Sequence, residues 1–303
     1  MRARILTVLA AVVAMLAVAA PAEAIKYGVP DAGAHPYVGQ LLFYDPTATD
    51  PRFTDPGAWF NCSGTLVSPT IVVTAGHCTF PEGTNGEPTE GNTGGNDVWI
   101  SFAEEPDYSI LPPSSTFVPD RNQDRYEAWS AALNASDEWI RATAYPHPEY
   151  DDAAFYEHDL GVLVLSEPVY LPEYGQLPTL GLLDELYAAN KQQLYTAVGY
   201  GLEGAGPKTS FGGDTRRRAD LRLTNLIGVG GIGNGLSAKF SNNAATGGTC
   251  FGDSGGPIFL AGTSIIVAVN SYAKNSTCSG TTGGYRIDQA ADLAFLATFG
   301  ITP

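Results

Sequence analysis

Apolar residues in this chain recur in short runs bounded by Gly, Pro, Asn and Ser, the pattern of strands rather than of long amphipathic helices. Tyr37-Val38-Gly39-Gln40-Leu41-Leu42-Phe43 reads as a first strand. Trp59 to Val67 and Thr70 to Thr74 read as a pair joined at Ser68-Pro69, a turn signal. Val98-Trp99-Ile100-Ser101-Phe102 follows, and Trp139 to Tyr145 leads into a rigid Pro146-His147-Pro148 loop. Leu160 to Leu165 is apolar throughout, as expected of a strand buried on both faces. Leu194 to Gly201, Ala219 to Leu226 and Ser264 to Tyr272 continue the series.

Helical spacing is rare. Tyr126 to Asn134 suits a short helix, and a terminal one is expected from about Asp288, with Leu293, Leu296 and Phe299 on one side and Gly300 as its stop. Pro168, Pro172 and Pro178, with Gly175 among them, mark a crossing between two halves. The 303 residues include 35 glycines and 21 prolines and only 16% charged residues, which favours an all-β protein rich in turns.

Charge narrows the partners. Against 32 acidic residues stand 16 Lys and Arg, which argues against nucleic acid or anionic membrane surfaces. The basic triplet Arg216-Arg217-Arg218 is read as a solvated face. Arg2 and Arg4 precede an apolar run, Ile5 to Ala20, shorter than the roughly 20 residues of a membrane span. Ala22-Glu23-Ala24 then has the small-residue form of a signal-peptidase site, and Ala20-Pro21-Ala22 fits as well. The expectation is a signal peptide over residues 1–24 and an extracellular, secreted protein. The four cysteines, Cys62, Cys78, Cys250 and Cys278, suit an oxidising setting and allow three pairings. With no Cys-x-x-Cys pair, a Cys/His zinc site is disfavoured.

The chemistry centres on Thr249-Cys250-Phe251-Gly252-Asp253-Ser254-Gly255-Gly256-Pro257. A serine between glycines can expose its hydroxyl on a sharp turn and leave the Gly252 and Ser254 N–H groups facing a developing oxyanion. Gly252-x-Ser254-x-Gly256 also fits the nucleophile elbow of an α/β-hydrolase. That fold needs a histidine after the serine, and the last histidine here is His158. The elbow reading is excluded.

Two further stretches bear on the serine. Thr74-Ala75-Gly76-His77-Cys78 follows Ile71-Val72-Val73, and His158-Asp159-Leu160 opens the apolar run Gly161 to Leu165. With these three motifs in this order, the chain from about Ile25 resembles the secreted, bacterial-type trypsin/chymotrypsin-like serine proteases. The resemblance implies an all-β fold of two six-stranded antiparallel β-barrels with the active site between them, and a C-terminal α-helix. The first barrel would span 25–170, with an insertion near 104–137 that widens the His77–Asp159 separation, and the second 171–303. It implies catalytic His77, Asp159 and Ser254, an oxyanion hole from Gly252 and Ser254, and disulfides Cys62–Cys78 and Cys250–Cys278. His35, His147 and His158 are then read as loop residues, His147 on the surface.

The specificity pocket implied by the resemblance has Gly248 at its floor, followed by Thr249, with walls from Ser271, Tyr272, Ala273 and Gly283; Asn270 can shift that alignment by one. An uncharged floor would leave a cationic side chain unpaired at considerable cost, so cleavage is expected after apolar or aromatic residues. The family's activation pair would be Ile25, once it is the N-terminus, with Asp253. Some relatives bind calcium near the acidic loop 82–97, where Glu82, Glu87 and Glu90 offer oxygens, but no EF-hand pattern is present. The expected protein is a monomer acting on protein or peptide substrates with no cofactor and no metal; a non-catalytic binding protein on the same fold is the alternative.

Overall fold

The computed structural model describes residues 25–189, 192–206, 210–231, 233 and 235–303. The expected signal peptide, 1–24, lies outside the described residues. A short strand, β1 (Val29–Pro30), precedes the first barrel: β2 (Val38–Asp45), β3 (Ala58–Ser68), β4 (Ile71–Thr74), β5 (Val98–Ser101), β6 (Ile140–Pro146) and β7 (Gly161–Leu165). These strands close in the order β2-β3-β4-β7-β6-β5. Every neighbouring pair is antiparallel, and β5 completes the ring by pairing with β2. Closure leaves no exposed sheet edge. Strands β2 and β4 are buried on both faces, as is most of β7: Val38, Leu41, Val72, Val162 and Leu163 are all fully buried and belong to one core cluster.

The second barrel uses β8 (Leu194–Gly199), then, after a small β9–β10 hairpin (Gly204–Ala205, Ser210–Phe211), β11 (Arg217–Asn225), β12 (Ser237–Asn242), β13 (Pro257–Leu260), β14 (Ile266–Ala273) and β15 (Gly280–Arg286). Its order is β11-β12-β15-β14-β13-β8, closed by β8 against β11, with β1 added outside. Strand β12 escapes the sequence reading because its polar residues Ser241 and Asn242 are buried. The glycines of β15 conceal it in the same way.

Three α-helices are described: α1 (Asn122–Asn134), α2 (Leu182–Ala189) and α3 (Ala290–Ala297). Helix α1 starts four residues earlier than expected, because the insertion is anchored at its first turn. Asn122 Nδ2 donates to Pro56 O at 2.9 Å, and buried Arg125 pairs with Asp50 at 3.1 Å over the Phe53 ring. Leu133 and Trp139 then pack on Leu42 and Trp99, so the insertion covers one outer face of the first barrel. Helix α2 is absent from the sequence reading; its amphipathic run follows the proline-rich crossing and buries Leu183.

Two polar readings are corrected. Arg216 and Arg217 are buried, not solvated. Arg216 spans the two barrels, donating to Asp31 Oδ2 (3.0 Å), Val38 O (3.1 Å), Phe102 O (3.0 Å) and Tyr200 Oη (3.1 Å). Its guanidinium supplies donors to buried carbonyls where the two barrels meet. His147 is also buried, held by its backbone to Leu160 O at 2.8 Å. Both predicted disulfides are present, Cys62–Cys78 and Cys250–Cys278.

Candidate active site

His77 follows β4 in a single 3₁₀ turn, Gly76–Cys78, and Asp159 sits just before β7, the strand paired with β4. That pairing needs close approach: a Cβ on Gly161 would fall 2.4 Å from Thr79 Oγ1. The result is a tight contact. Asp159 Oδ1 accepts the His77 backbone N–H at 2.9 Å, and His77 Nδ1 lies 3.0 Å from both carboxylate oxygens. Ser271 Oγ donates to Asp159 Oδ2 at 2.5 Å. Asp159 is fully buried, while a quarter of the His77 side chain remains exposed (26%). Burial opposes charge on the imidazole, but the adjacent Asp159 carboxylate outweighs it and holds the His77 pKa above its ordinary value.

The Ser254 loop comes from the other barrel and is pinned to the first. Ser63 donates its N–H to Ser254 O (2.7 Å) and its hydroxyl to Gly252 O (3.0 Å). A Cβ on Gly255 would lie 2.0 Å from Thr74 Oγ1 and 2.8 Å from Ala75 N, so only glycine lets this loop press against the segment that carries His77. Gly252 has φ +97°, open to glycine alone at low cost. Among the described residues, the N–H groups of Gly252 and Ser254 donate to no protein acceptor.

Asp253 points inward. Its carboxylate accepts Gly201 N–H and Cys250 N–H, each at 2.8 Å. Burial raises its pKa to about 7 despite those two donors, which lower it. Ile25 is fully buried in the core of the second barrel with Tyr195, Ala219 and Leu221. It follows Ala24, so its nitrogen is a peptide nitrogen, and backbone donors rather than an ammonium face Asp253. Lys26 finds partners: its ammonium donates to Thr277 O and Ser279 Oγ, and its carbonyl accepts Gly248 N–H at 2.9 Å.

Beside Ser254 lies a cavity of about 220 Å³ lined by Thr249, Cys250, Phe251, Asn270, Ser271, Tyr272 and Ala273, none of them charged. Gly248 and Gly283 do not line it. Gly248 backs onto the Asn242 side chain and Gly283 lies beneath the Tyr272 ring. Thr282, absent from the sequence reading, bonds Thr249 hydroxyl to hydroxyl at 2.6 Å and donates to Tyr272 O at 3.2 Å. Nothing in the sequence points to it: β14 and β15 slip register between Asn270 and Tyr272, which sets Thr282 opposite Ala273.

The acidic loop does not converge on one point. Glu82 is buried beside Asp97, whereas Glu87 and Glu90 are exposed.

A family model described as Trypsin matches residues 121–292, more than half of the chain. The chain belongs to the trypsin family. The match takes in Asp159 and Ser254. Among solved structures, HL collagenase is similar at 16% identity, TM-score 0.59, covering 92% of this chain and 100% of that one. A scabies mite inactivated protease paralogue is similar at 15% identity, TM-score 0.56, with the same coverage of 92% and 100%. At such identities these likenesses concern the fold. Comparison with curated proteins gives no match. Among the described residues, no helix is long and apolar enough to cross a membrane.

Proposed function

We propose that this trypsin-family chain is a secreted serine endopeptidase that cleaves after uncharged apolar or aromatic residues through His77, Asp159 and Ser254. The observation that carries the reading is the Ser271–Asp159–His77 hydrogen-bond chain, formed against the loop that bears Ser254. Ser254 Oγ attacks the scissile carbonyl while His77 Nε2 takes its proton, and the same proton later passes to the leaving amine. Asp159 holds Nδ1–H, fixes the tautomer and stabilises the imidazolium. The N–H groups of Gly252 and Ser254 receive the oxyanion, where one donor contributes ~3–4 kcal/mol in such sites. Water then releases the acyl group by the reverse sequence.

The uncharged cavity supports the substrate preference, since a buried lysine or arginine head would have no counter-charge there. Ala273 at its rim and the Thr249–Thr282 hydroxyl pair favour side chains of medium size. The two disulfides fit an oxidising, extracellular setting. Removal of residues 1–24 would turn Ile25 into an α-ammonium able to pair with Asp253, so export itself would activate the enzyme.

A second reading, a binding protein without catalysis, draws on the likeness to a paralogue whose name says inactivated. Peptides differing only at the residue before the cut test the proposal. Hydrolysis after Phe, Tyr or Leu, abolished by Ser254→Ala, is expected. A higher kcat/KM for Lys or Arg contradicts the specificity, and no hydrolysis of any peptide favours the binding protein.

A further inference from the structure

Two histidines remain outside the proposed mechanism, and the fold brings them together. His147 follows β6, and His158 precedes Asp159 with φ +52°, a left-handed conformation that folds its ring back over the loop. The two imidazoles stack with centroids 4.8 Å apart and planes 15° from parallel. Glu149 completes the group. A ring nitrogen of each histidine and a carboxylate oxygen of Glu149 lie within 4.8 Å of one another. The other such triplet among the described residues, Cys62, His77 and Cys78, has its thiols consumed in a disulfide.

We propose that His147, Glu149 and His158 bind a divalent transition-metal ion, and that Zn2+ is the ion this donor set suits. Two imidazole nitrogens and one carboxylate match zinc's borderline character, whereas Ca2+ and Mg2+ prefer oxygen throughout. A zinc ligand must offer a lone pair, which requires neutral imidazole. His147 Nε2 lies 3.9 Å from the buried Asp292 carboxylate, which is itself held by Tyr285 Oη at 2.9 Å. With Nε2 facing Asp292, Nδ1 faces Glu149, whose backbone N–H it accepts at 3.1 Å; the metal displaces this one bond.

His158 Nε2 already lies 3.8 Å from Glu149 Oε2, and its Nδ1 is buried without a partner. A tetrahedral site with bonds near 2.0–2.1 Å sets its ligands about 3.3 Å apart, so the triplet must contract by about 1.5 Å. Glu149 (65% exposed) and His158 (24% exposed) share that movement, the His158 ring turning out of the stack so that its in-plane lone pair meets that of buried His147 at the metal. A water completes the fourth position.

Contraction has a consequence for the site described above. His158 is joined to Asp159, and Leu160 N–H donates to His158 O at 2.7 Å, so the turn around Asp159 is tight. Drawing His158 toward Glu149 shifts the carboxylate that orients His77. Zinc therefore lowers kcat without competing for the substrate cavity. This effect rests on the proposed protease activity; the binding does not.

Calorimetric titration of metal-stripped protein with Zn2+ at neutral pH tests the site, with Glu149→Gln and His158→Asn beside the unmodified chain. One bound Zn2+ is expected, lost in both variants. Unchanged thermal stability of Glu149→Gln, an exposed substitution, separates lost ligation from misfolding. No binding at millimolar Zn2+, or equal affinity in Glu149→Gln and His158→Asn, overturns the site. Peptide hydrolysis is the second readout: Zn2+ should reduce kcat at unchanged KM in the unmodified enzyme and leave Glu149→Gln unaffected. Retained kcat with zinc bound overturns the coupling to Asp159. Should the chain hydrolyse no peptide, the calorimetry still decides the binding.

Discussion

Replacing Asp253 with asparagine should have opposite consequences, at neutral and alkaline pH, before and after the chain begins at Ile25. In the continuous chain the buried carboxyl pairs, among the described residues, with no cation but with the Gly201 and Cys250 N–H groups, and its pKa is pushed up to about 7 from 3.8. A raised folded pKa means that stability is full below the unfolded value and is lost as pH rises through the folded one. At 1.36 kcal/mol per unit, ionising Asp253 costs the fold about 4 kcal/mol in all, of which about 3 falls between pH 5 and pH 8. Asp253→Asn removes that pH dependence from the uncleaved form. It adds a roughly constant cost of about 1–3 kcal/mol, because one N–H loses its oxygen acceptor to an NH2. In the form that begins at Ile25, the α-ammonium proposed to pair with Asp253 would compensate the carboxylate, and the same substitution would leave a buried cation unpaired, costing about 3–5 kcal/mol. Urea denaturation of both forms from pH 5 to pH 8 measures each difference. An uncleaved Asp253→Asn protein that keeps the original pH dependence would refute the reasoning. So would a cleaved form as stable with asparagine as with aspartate.

Further outcomes follow from the same contacts. Ser271→Ala removes the donor at 2.5 Å from Asp159 and should lower kcat/KM by about tenfold or more, the equivalent of a charge-assisted hydrogen bond of ~1.5–3 kcal/mol, read in steady-state hydrolysis. Because Asp159 raises the His77 pKa, kcat/KM should rise with pH through a midpoint above the ordinary histidine value, as His77 loses its proton to become a base; a midpoint below it would contradict the ion pair. Burial beside Asp97 pushes Glu82 well above the usual carboxylate range, with both oxygens unpartnered, so its contribution to stability is lost as pH rises. Glu82→Gln should therefore gain in denaturation midpoint as pH increases, and an equal midpoint difference at acid and alkaline pH would contradict the assignment.

The sequence made the barrels legible wherever strands are apolar and flanked by turns, as in β2, β4 and β7. The candidate site residues His77, Asp159 and Ser254 stand out in the sequence because the serine loop, the His77 turn and the entry to β7 each carry a motif, and the glycines beside them permit close backbone approach. The sequence concealed β12 and β15, whose polar and glycine residues give no period-2 signal, and α2, which follows a proline-rich crossing. Thr282 escaped because a register shift in β14 moves the residues opposite it by one place, a tertiary fact. The buried arginines escaped for a different reason. A triplet of like charges reads as solvated until the partners of Arg216, drawn from both barrels, are known. His147 was hidden likewise, since flanking prolines suggest a surface loop whereas Phe295 of α3 covers its ring.

The central claim is that Ser254 is a nucleophile activated by His77, and covalent labelling tests it most directly. The native protein is treated with a serine-directed acylating or phosphonylating reagent, and the modified peptide is identified by mass spectrometry. The account predicts one label per chain, on Ser254, greatly slowed by His77→Ala and absent after denaturation before treatment. No label on the native protein, or equal labelling of native and denatured chains, would contradict it.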